Sequence, residues 1–402
     1  MPPGPASPTR LVGLDVARCL ALLGMVTTHV LDPRDPSGDI ALGQAVAGGR
    51  SAALFAVLAG VSIALVTGRR VPPRGRARLA ASAGLLVRAV LIATIGLLIG
   101  MPDSGLAVIL TYYGVLFVLA IPFLGLRPPA LLAVAAGWLV LAPVVSHVLR
   151  PGLPPRSFDN PTADRLLADP GGVLSELLLT GYYPAVPWLA YVLVGLAIGR
   201  LDLSGRRTPV RLAAGGAALA VVAHVVSDWA VHLAPVRSAL VGPGASDADV
   251  DRLLDEVSTG MFGTTPPGDT AAWLLVDAPH SATPFDLAAT IGSSLLVIGL
   301  ALLLAGLVSR WAAATRLVAV VFGAGTMTLT LYSLHVLLRT PSLPPPDGPE
   351  GYAAHVLVLV ALGATYAVLG RRGPLERVVS WASGRVARSM SGHVTIGAGE
   401  RR

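Results

Sequence analysis

Long apolar runs recur along the whole chain, separated by shorter polar stretches that carry most of its proline and arginine. A hydrocarbon core about 30 Å thick is crossed by about 20 helical residues, so each run is long enough to span it. The pattern predicts ten spans, at residues 11–31, 50–67, 80–100, 106–126, 129–149, 182–199, 209–231, 285–308, 316–338 and 352–370. Pro184 and Pro187 fall in the first turns of the sixth span, where a missing amide donor is harmless, whereas Pro122 interrupts the fourth. The expected fold class is all-α, a polytopic membrane helix bundle of about ten transmembrane helices. The stretch before the first run is short and no small-residue cleavage site follows it, so the first span is expected to remain as a helix.

Composition agrees: 53% of residues are hydrophobic, 13% are charged, and the mean hydropathy is +0.70. These values exclude an ordinary soluble globular protein. Residues 1–383 read as a single transmembrane domain with two long outer loops, 150–180 and 233–284, which can form a lid over an outer vestibule. Each loop holds a candidate helix, in DNPTADRLLADPGGVLSELLL and in SDADVDRLLDEVSTGMF, the latter with Ser246 as N-cap. Residues 1–10 and the tail 384–402 are rich in Gly, Pro, Ser and Arg and are expected to be disordered, the tail in the cytoplasm.

Charge orients the chain. All 30 strongly basic residues are arginine, and with both termini cytoplasmic 21 of them lie on the inner side, 8 on the outer side, and Arg88 within the third span. Of the 23 acids only Asp15, Asp202, Glu376 and Glu400 fall inside. The positive-inside rule is therefore met. The net charge of +7 is explained by topology and does not point to nucleic acid. The single cysteine, Cys19, excludes an intrachain disulfide and a cysteine-cluster metal site.

The candidate chemistry begins in the first span, LVGLDVARCLALLGMVTTHVL, with Asp15, Arg18 and His29. An ionisable group inside a bilayer helix costs about 2.5–3.5 kcal/mol on insertion scales, so three in one span are functional candidates. Asp15 and Arg18 share a helix face and can pair; they can also simply anchor the helix start at headgroup depth. His29 lies eleven residues past Arg18, about 16 Å along the axis and only about 20° from the same face. That arrangement suits a reaction joining an anionic donor on one side to an acceptor on the other, with neutral histidine accepting a proton from a sugar hydroxyl or amine.

Other candidates lie on the outer side. His335, with Ser333 nearby, can bind acceptor or make an interhelical hydrogen bond, and Arg50 can bind acceptor or pair with an outer acid. His280 and Asp286 bracket the entry to the eighth span, where Ser281 or Thr283 is expected as helix cap. Trp188, Tyr112 and Tyr113 can stack on sugar rings or belong to an interfacial aromatic belt. His224, Asp228 and His232 repeat at four-residue spacing, enough for a metal or proton relay but equally a polar outer cap. Arg69, Arg70 and Arg74 head the densest inner basic patch, suited to phosphates of a donor or to anionic lipid and topology control. No phosphate-binding Gly-rich loop and no HExxH motif occurs, and no metal is expected.

The LDVAR start with Arg-x10-His is similar to the opening helix of the membrane acyltransferase-3 family. The wider pattern resembles the heparan-alpha-glucosaminide N-acetyltransferase-like family, on GLDVARCLALLGM, LFAVLAG, YYPAVPWLAYVLVGLAIGR, TMTLTLYSLHVL and RRGPLE. The resemblance implies an acyltransferase of the cell membrane that takes acetyl-CoA or another acyl-CoA as donor. It passes the acyl group to an extracytoplasmic carbohydrate acceptor of the cell envelope, and a homodimer is compatible with it. It makes Arg18 and His29 the matching pair. The closer family's active histidine belongs to the loop after the first helix, and here no histidine stands between Leu31 and Gly60, so His29 is read as a general base for direct transfer. The competing reading is a transporter or flippase for an envelope precursor, which paired broken helices or an inverted repeat would favour; neither is evident in the sequence.

Overall fold

The structure is a computed structural model of the chain and describes residues 11–242, 244–341, 343 and 348–391. It is all-α. In chain order the helices are α1 Val12–Val30, α2 Leu42–Ala47, α3 Arg50–Val66, α4 Gly75–Ile99, α5 Leu110–Ala120 and α6 Pro128–Leu149. Then follow α7 Ala163–Ala168, α8 Pro170–Ser175, α9 Ala185–Gly199, α10 Arg207–Val231, α11 Ala234–Val241 and α12 Asp247–Ser258. The last five are α13 Pro284–Val308, α14 Ala312–Val321, α15 Thr328–Leu338, α16 Pro349–Val368 and α17 Pro374–Ser391.

Among the described residues seven helices are long and apolar enough to cross a membrane, or eight if one bent pair counts as a span. The remaining expected spans are broken. The sixth is the second arm of a pair, Pro170–Thr180 and Ala185–Gly199, bent by 52° at Gly181–Pro184. The ninth divides into α14 and α15 around a 3-10 turn, Gly323–Thr326. The fourth shortens to Leu110–Phe123, its last turn a 3-10 turn at Pro122. The breaks at Gly181–Pro184 and Gly323–Thr326 are ones the sequence did not reveal, whereas the one at Pro122 falls where the proline was expected to interrupt the span.

Small residues set how closely the helices approach. Lipid offers no hydrophobic gain for helix association, so packing depends on close backbone contact. A Cβ on Gly60 of α3 would overlap the Val192 carbonyl of α9, and one on Gly195 would overlap the Val57 carbonyl of α3. Gly325, in the turn before α15, lies equally tight against the Asp15 carbonyl of α1. α1 is thereby held at the centre, against α3, α13, α16 and the Gly323–Thr326 turn.

The fourth span starts later than hydropathy predicts because residues 106–109 are not helical. Backbone polar groups at this depth need partners, and side chains supply them. Asn160 donates Nδ2 to the Leu106 carbonyl at 2.8 Å and accepts from Val108 N–H at 2.7 Å. The Tyr332 hydroxyl accepts from Ile109 N–H at 3.2 Å, and the Tyr183 hydroxyl donates to the Ala107 carbonyl at 3.3 Å.

The two long loops fold over the end of the bundle opposite the start of α1. α7 is capped by Thr162, α8 by Asp169, and α12 by the expected Ser246, in a box with Asp249. The buried Arg150 guanidinium binds the Thr265 carbonyl and hydroxyl, Arg156 binds the Phe262 carbonyl, and Gln44 donates to the Thr259 carbonyl at 2.5 Å. The expected disordered tail is corrected over its first part: residues 384–391 belong to α17, which packs Ser383 and Ala387 against Gly84 of α4. Its remaining sequence pattern explains the helix: Val379 is buried while Trp381, Val378 and several arginines face outward, the amphipathic character of an interfacial helix. Residues 1–10 and 392–402 lie outside the described residues.

Gly195→Leu is expected to destabilise the bundle by about 3 kcal/mol or more, since the new side chain meets backbone rather than a movable side chain. Thermal unfolding of the detergent-solubilised protein, compared with Gly205→Leu at an open position, measures it.

Candidate active site

α1 runs past two neighbourhoods that together form the site. Near its start, Arg18 donates to Asp15 Oδ1 at 3.1 Å and to the Ser62 hydroxyl of α3 at 2.9 Å. The pair suggested by the sequence forms, and its guanidinium spans two helices. Both residues line a cavity of about 580 Å³ that opens at the end of the bundle where α1 begins. Its wall carries four guanidiniums, Arg18, Arg88, Arg371 and Arg372, against the carboxylates of Asp15 and Glu376. Arg88 and Arg18 are near enough for each to feel the other's charge. An arginine-rich pocket at this depth suits an anionic, elongated ligand.

The inner wall is apolar and aromatic: Met25, Ile109, Tyr113 and Tyr332 line it. From Asp15 to Met25 is about 15 Å of helix. One turn beyond Met25 stands His29, and one turn beyond Tyr332 stands His335. The two imidazoles meet: His29 Nδ1 and His335 Nε2 are 3.1 Å apart, the rings nearly coplanar at 4°. His335 Nδ1 in turn lies 3.2 Å from His355 Nδ1 on α16. His335 and His355 are fully buried, and His355 Nε2 has no partner. Because His335 faces its neighbours with different nitrogens, the three rings share no common point for a metal ion, and no group of three such ligands occurs among the described residues.

Beyond the histidines the loops enclose an aromatic cluster. The break before α9 supplies Tyr182 and Tyr183, α9 supplies Trp188, and the loop before α13 supplies His280, whose ring lies parallel to Trp188 at 6.2 Å and 4.8 Å from Tyr182. His280 adopts φ +58°, a left-handed conformation uncommon for residues other than glycine. Trp188 Nε1 and His280 Nδ1 are buried without protein partners. His280 is close enough to His29 for their charges to interact. Burial holds the His280 imidazole neutral down to about pH 4, and it raises the carboxyl of nearby Asp277, which pairs with His224 at 3.1 Å.

The other expected positions are dispersed. Asp286 is buried, but its carboxylate accepts from Ala282 N–H at 2.9 Å while Thr283 caps the same helix, so its contacts hold the entry to α13. Arg50 donates to the Ala45 carbonyl at 2.6 Å. Tyr113 joins the cavity wall, and Tyr112 packs edge-on against Tyr183. His224, Asp228 and His232 form an exposed polar end to α10. Arg69, Arg70 and Arg74 are not among the lining residues: Arg70 pairs with Asp202, the Arg69 carbonyl accepts from Arg200, and Arg74 precedes α4. His355, Tyr332 and the cavity arginines Arg88, Arg371 and Arg372 were not singled out as site residues. Intramembrane charge was the signal for Arg88, and a histidine within the tenth span was the signal for His355.

A family model described as heparan-alpha-glucosaminide N-acetyltransferase, catalytic, matches residues 10–231. No curated protein matches the chain. The matched stretch contains α1 with Asp15, Arg18 and His29, and it ends at α10, before His280, His335 and His355.

The neutral state of buried His280 has a consequence for stability. Between its ordinary value of 6.5 and about 4 the unfolded chain takes up a proton that the folded chain does not. Stability from this group is therefore complete above pH 6.5 and is lost as pH falls toward 4, by about 3 kcal/mol in all. Melting of the solubilised protein across that window should show a flatter pH dependence for His280→Asn than for the parent.

Proposed function

The chain belongs to the heparan-alpha-glucosaminide N-acetyltransferase catalytic family, and from that premise we propose that it moves an acetyl or short acyl group from cytoplasmic acyl-CoA to an extracytoplasmic carbohydrate. It is a membrane protein of a transferase family. The reading rests on one observation. A cavity entered from the arginine-rich face ends one helical turn short of the His29–His335 pair, and the loop-covered aromatic cluster begins on the far side of that pair.

The arginine-rich face is taken as cytoplasmic, in keeping with the positive-inside rule, and the membrane is taken to be the cell membrane. Arg371 and Arg372 at the cavity's mouth, with Arg88 and Arg18 deeper, would hold the donor's phosphates, and the apolar inner wall would hold its thioester arm. The contact to His335 occupies His29 Nδ1 and leaves Nε2 for the reaction. In direct transfer the acceptor's hydroxyl or amine attacks the thioester carbonyl as His29 Nε2 removes its proton, and the departing thiolate then takes that proton. Trp188 Nε1, His280 Nδ1 and the faces of Tyr182 and Tyr183 would receive the sugar.

A transporter would move substrate without cleaving a thioester. In proteoliposomes with acetyl-CoA inside and glucosamine outside, the protein should release free CoA in an acceptor-dependent manner. His29→Ala should reduce that release at least 100-fold while the protein elutes and melts as before. Retention of full activity by that variant would exclude His29 as the base, and glucosamine uptake without CoA release would favour transport. Arg88→Met should raise the KM for acetyl-CoA by about 10-fold or more. Simultaneous replacement of Arg69, Arg70 and Arg74 by Gln should change it by less than about 3-fold, because these side chains lie off the cavity.

A further inference from the structure

Three imidazoles on three helices form one continuous chain. His29 Nδ1 faces His335 Nε2 at 3.1 Å, and His335 Nδ1 faces His355 Nδ1 at 3.2 Å. Neutral imidazole has one donor and one acceptor nitrogen, so each contact needs one N–H aimed at one lone pair. Only two patterns for the neutral chain satisfy both contacts. In one, the protons point from His29 toward His355, His29 Nε2 carries a free lone pair, and His355 Nε2 carries a proton. In the other every proton is reversed, and His29 Nε2 is a donor that cannot act as a base. The burial of His335 and His355 makes these contacts strong, because no water competes for them.

We propose that His335 and His355 are positioning residues that fix His29 as a base and share the proton it removes, an assignment that rests on the acyl-transfer reading. In the first pattern, the acceptor's proton moves onto His29 Nε2 as its oxygen or nitrogen bonds to the acyl carbon. The Nδ1 proton of His29 then passes to His335 Nε2, and the Nδ1 proton of His335 passes to His355 Nδ1. The positive charge comes to rest two residues from the reacting carbonyl. When the carbon–sulfur bond breaks the same hops run backwards, and the proton on His29 Nε2 goes to the thiolate. The chain ends as it began and no external proton donor is needed. A base whose charge spreads over three rings holds its proton for longer than a lone imidazole, long enough for the tetrahedral adduct to expel the thiol rather than the acceptor.

The experiment uses the full-length protein in phosphatidylcholine–phosphatidylglycerol vesicles, with acetyl-CoA and glucosamine as probes. CoA release is followed in mixtures of H2O and D2O. The parent should show a curved dependence on deuterium fraction, the signature of several protons moving together. His355→Asn should lower kcat about 10-fold, leave the KM for acetyl-CoA within 2-fold, and make the dependence linear. A linear dependence in the parent, or an unchanged curve in the variant, overturns the proposal. A second measurement needs no turnover: ring nitrogen resonances of 15N-histidine-labelled protein in the same vesicles. Either His355→Asn or His355→Gln should displace the signals of His29 and His335 as well as removing those of His355. Loss of the His355 signals alone overturns the chain. Failure of the parent to release any CoA overturns the acyl-transfer reading and with it the chain's catalytic use, whatever the nitrogen spectra show of the chain itself.

Discussion

The architecture turns on a stretch of backbone that is not helical where a membrane protein normally requires helix. Residues 106–109 bring non-helical backbone into the interior, and each amide or carbonyl left unpaired there would cost a few kcal/mol. Asn160, Tyr183 and Tyr332 meet that requirement from three directions. Each of them is thereby fixed. Tyr332 is held where it closes the inner wall of the cavity, and Tyr183 is held in the aromatic cluster on the other side. The same peptide segment thus positions a boundary residue of both half-sites, and the two histidines pass between them.

Much of this was legible in the sequence and much was not, for physical reasons. Hydropathy is additive along the chain, so the long helices α1, α3, α4, α6, α10, α13 and α16 could be read directly. So could the caps at Ser246 and Thr283, which depend only on residues within a turn. The broken spans could not be read, because the groups that replace their missing helical bonds come from far away: Asn160 is more than fifty residues from Leu106, and Tyr332 more than two hundred from Ile109. The same-face geometry of Arg18 and His29 was local and could be worked out by counting. The partners of those residues were not local. His335 was visible only as an isolated histidine with two roles open, and nothing in the spacing links it to His29 or to His355. The basic patch at Arg69, Arg70 and Arg74 stands out by density, while the cavity collects its arginines one or two at a time from three segments of the chain.

The quoted motifs also gain a physical meaning from their pairing. LFAVLAG and YYPAVPWLAYVLVGLAIGR share a contact, Gly60 lying against α9 and Gly195 against α3. GLDVARCLALLGM meets the turn before TMTLTLYSLHVL, where Gly325 lies against the Asp15 carbonyl. The first interface sets the distance between the helices that flank the aromatic cluster. The second sets the height of α15 against α1, and therefore whether His335 arrives level with His29.

The carboxylate of Glu376, at the start of α17, accepts from the Leu329 and Thr330 amides at 2.7 and 3.1 Å and from the Thr330 hydroxyl at 2.6 Å. It serves as the cap of α15 although it belongs to another helix, satisfying amides that would otherwise be orphaned at a positive helix end. α15 is then a short rigid rod gripped at one end by a helix with the amphipathic character of one lying along the lipid surface, with His335 near the other end. Because α15 is held at one end by Glu376 of α17 and carries His335 near the other, the placement of α17 helps set where that ring stands opposite His29.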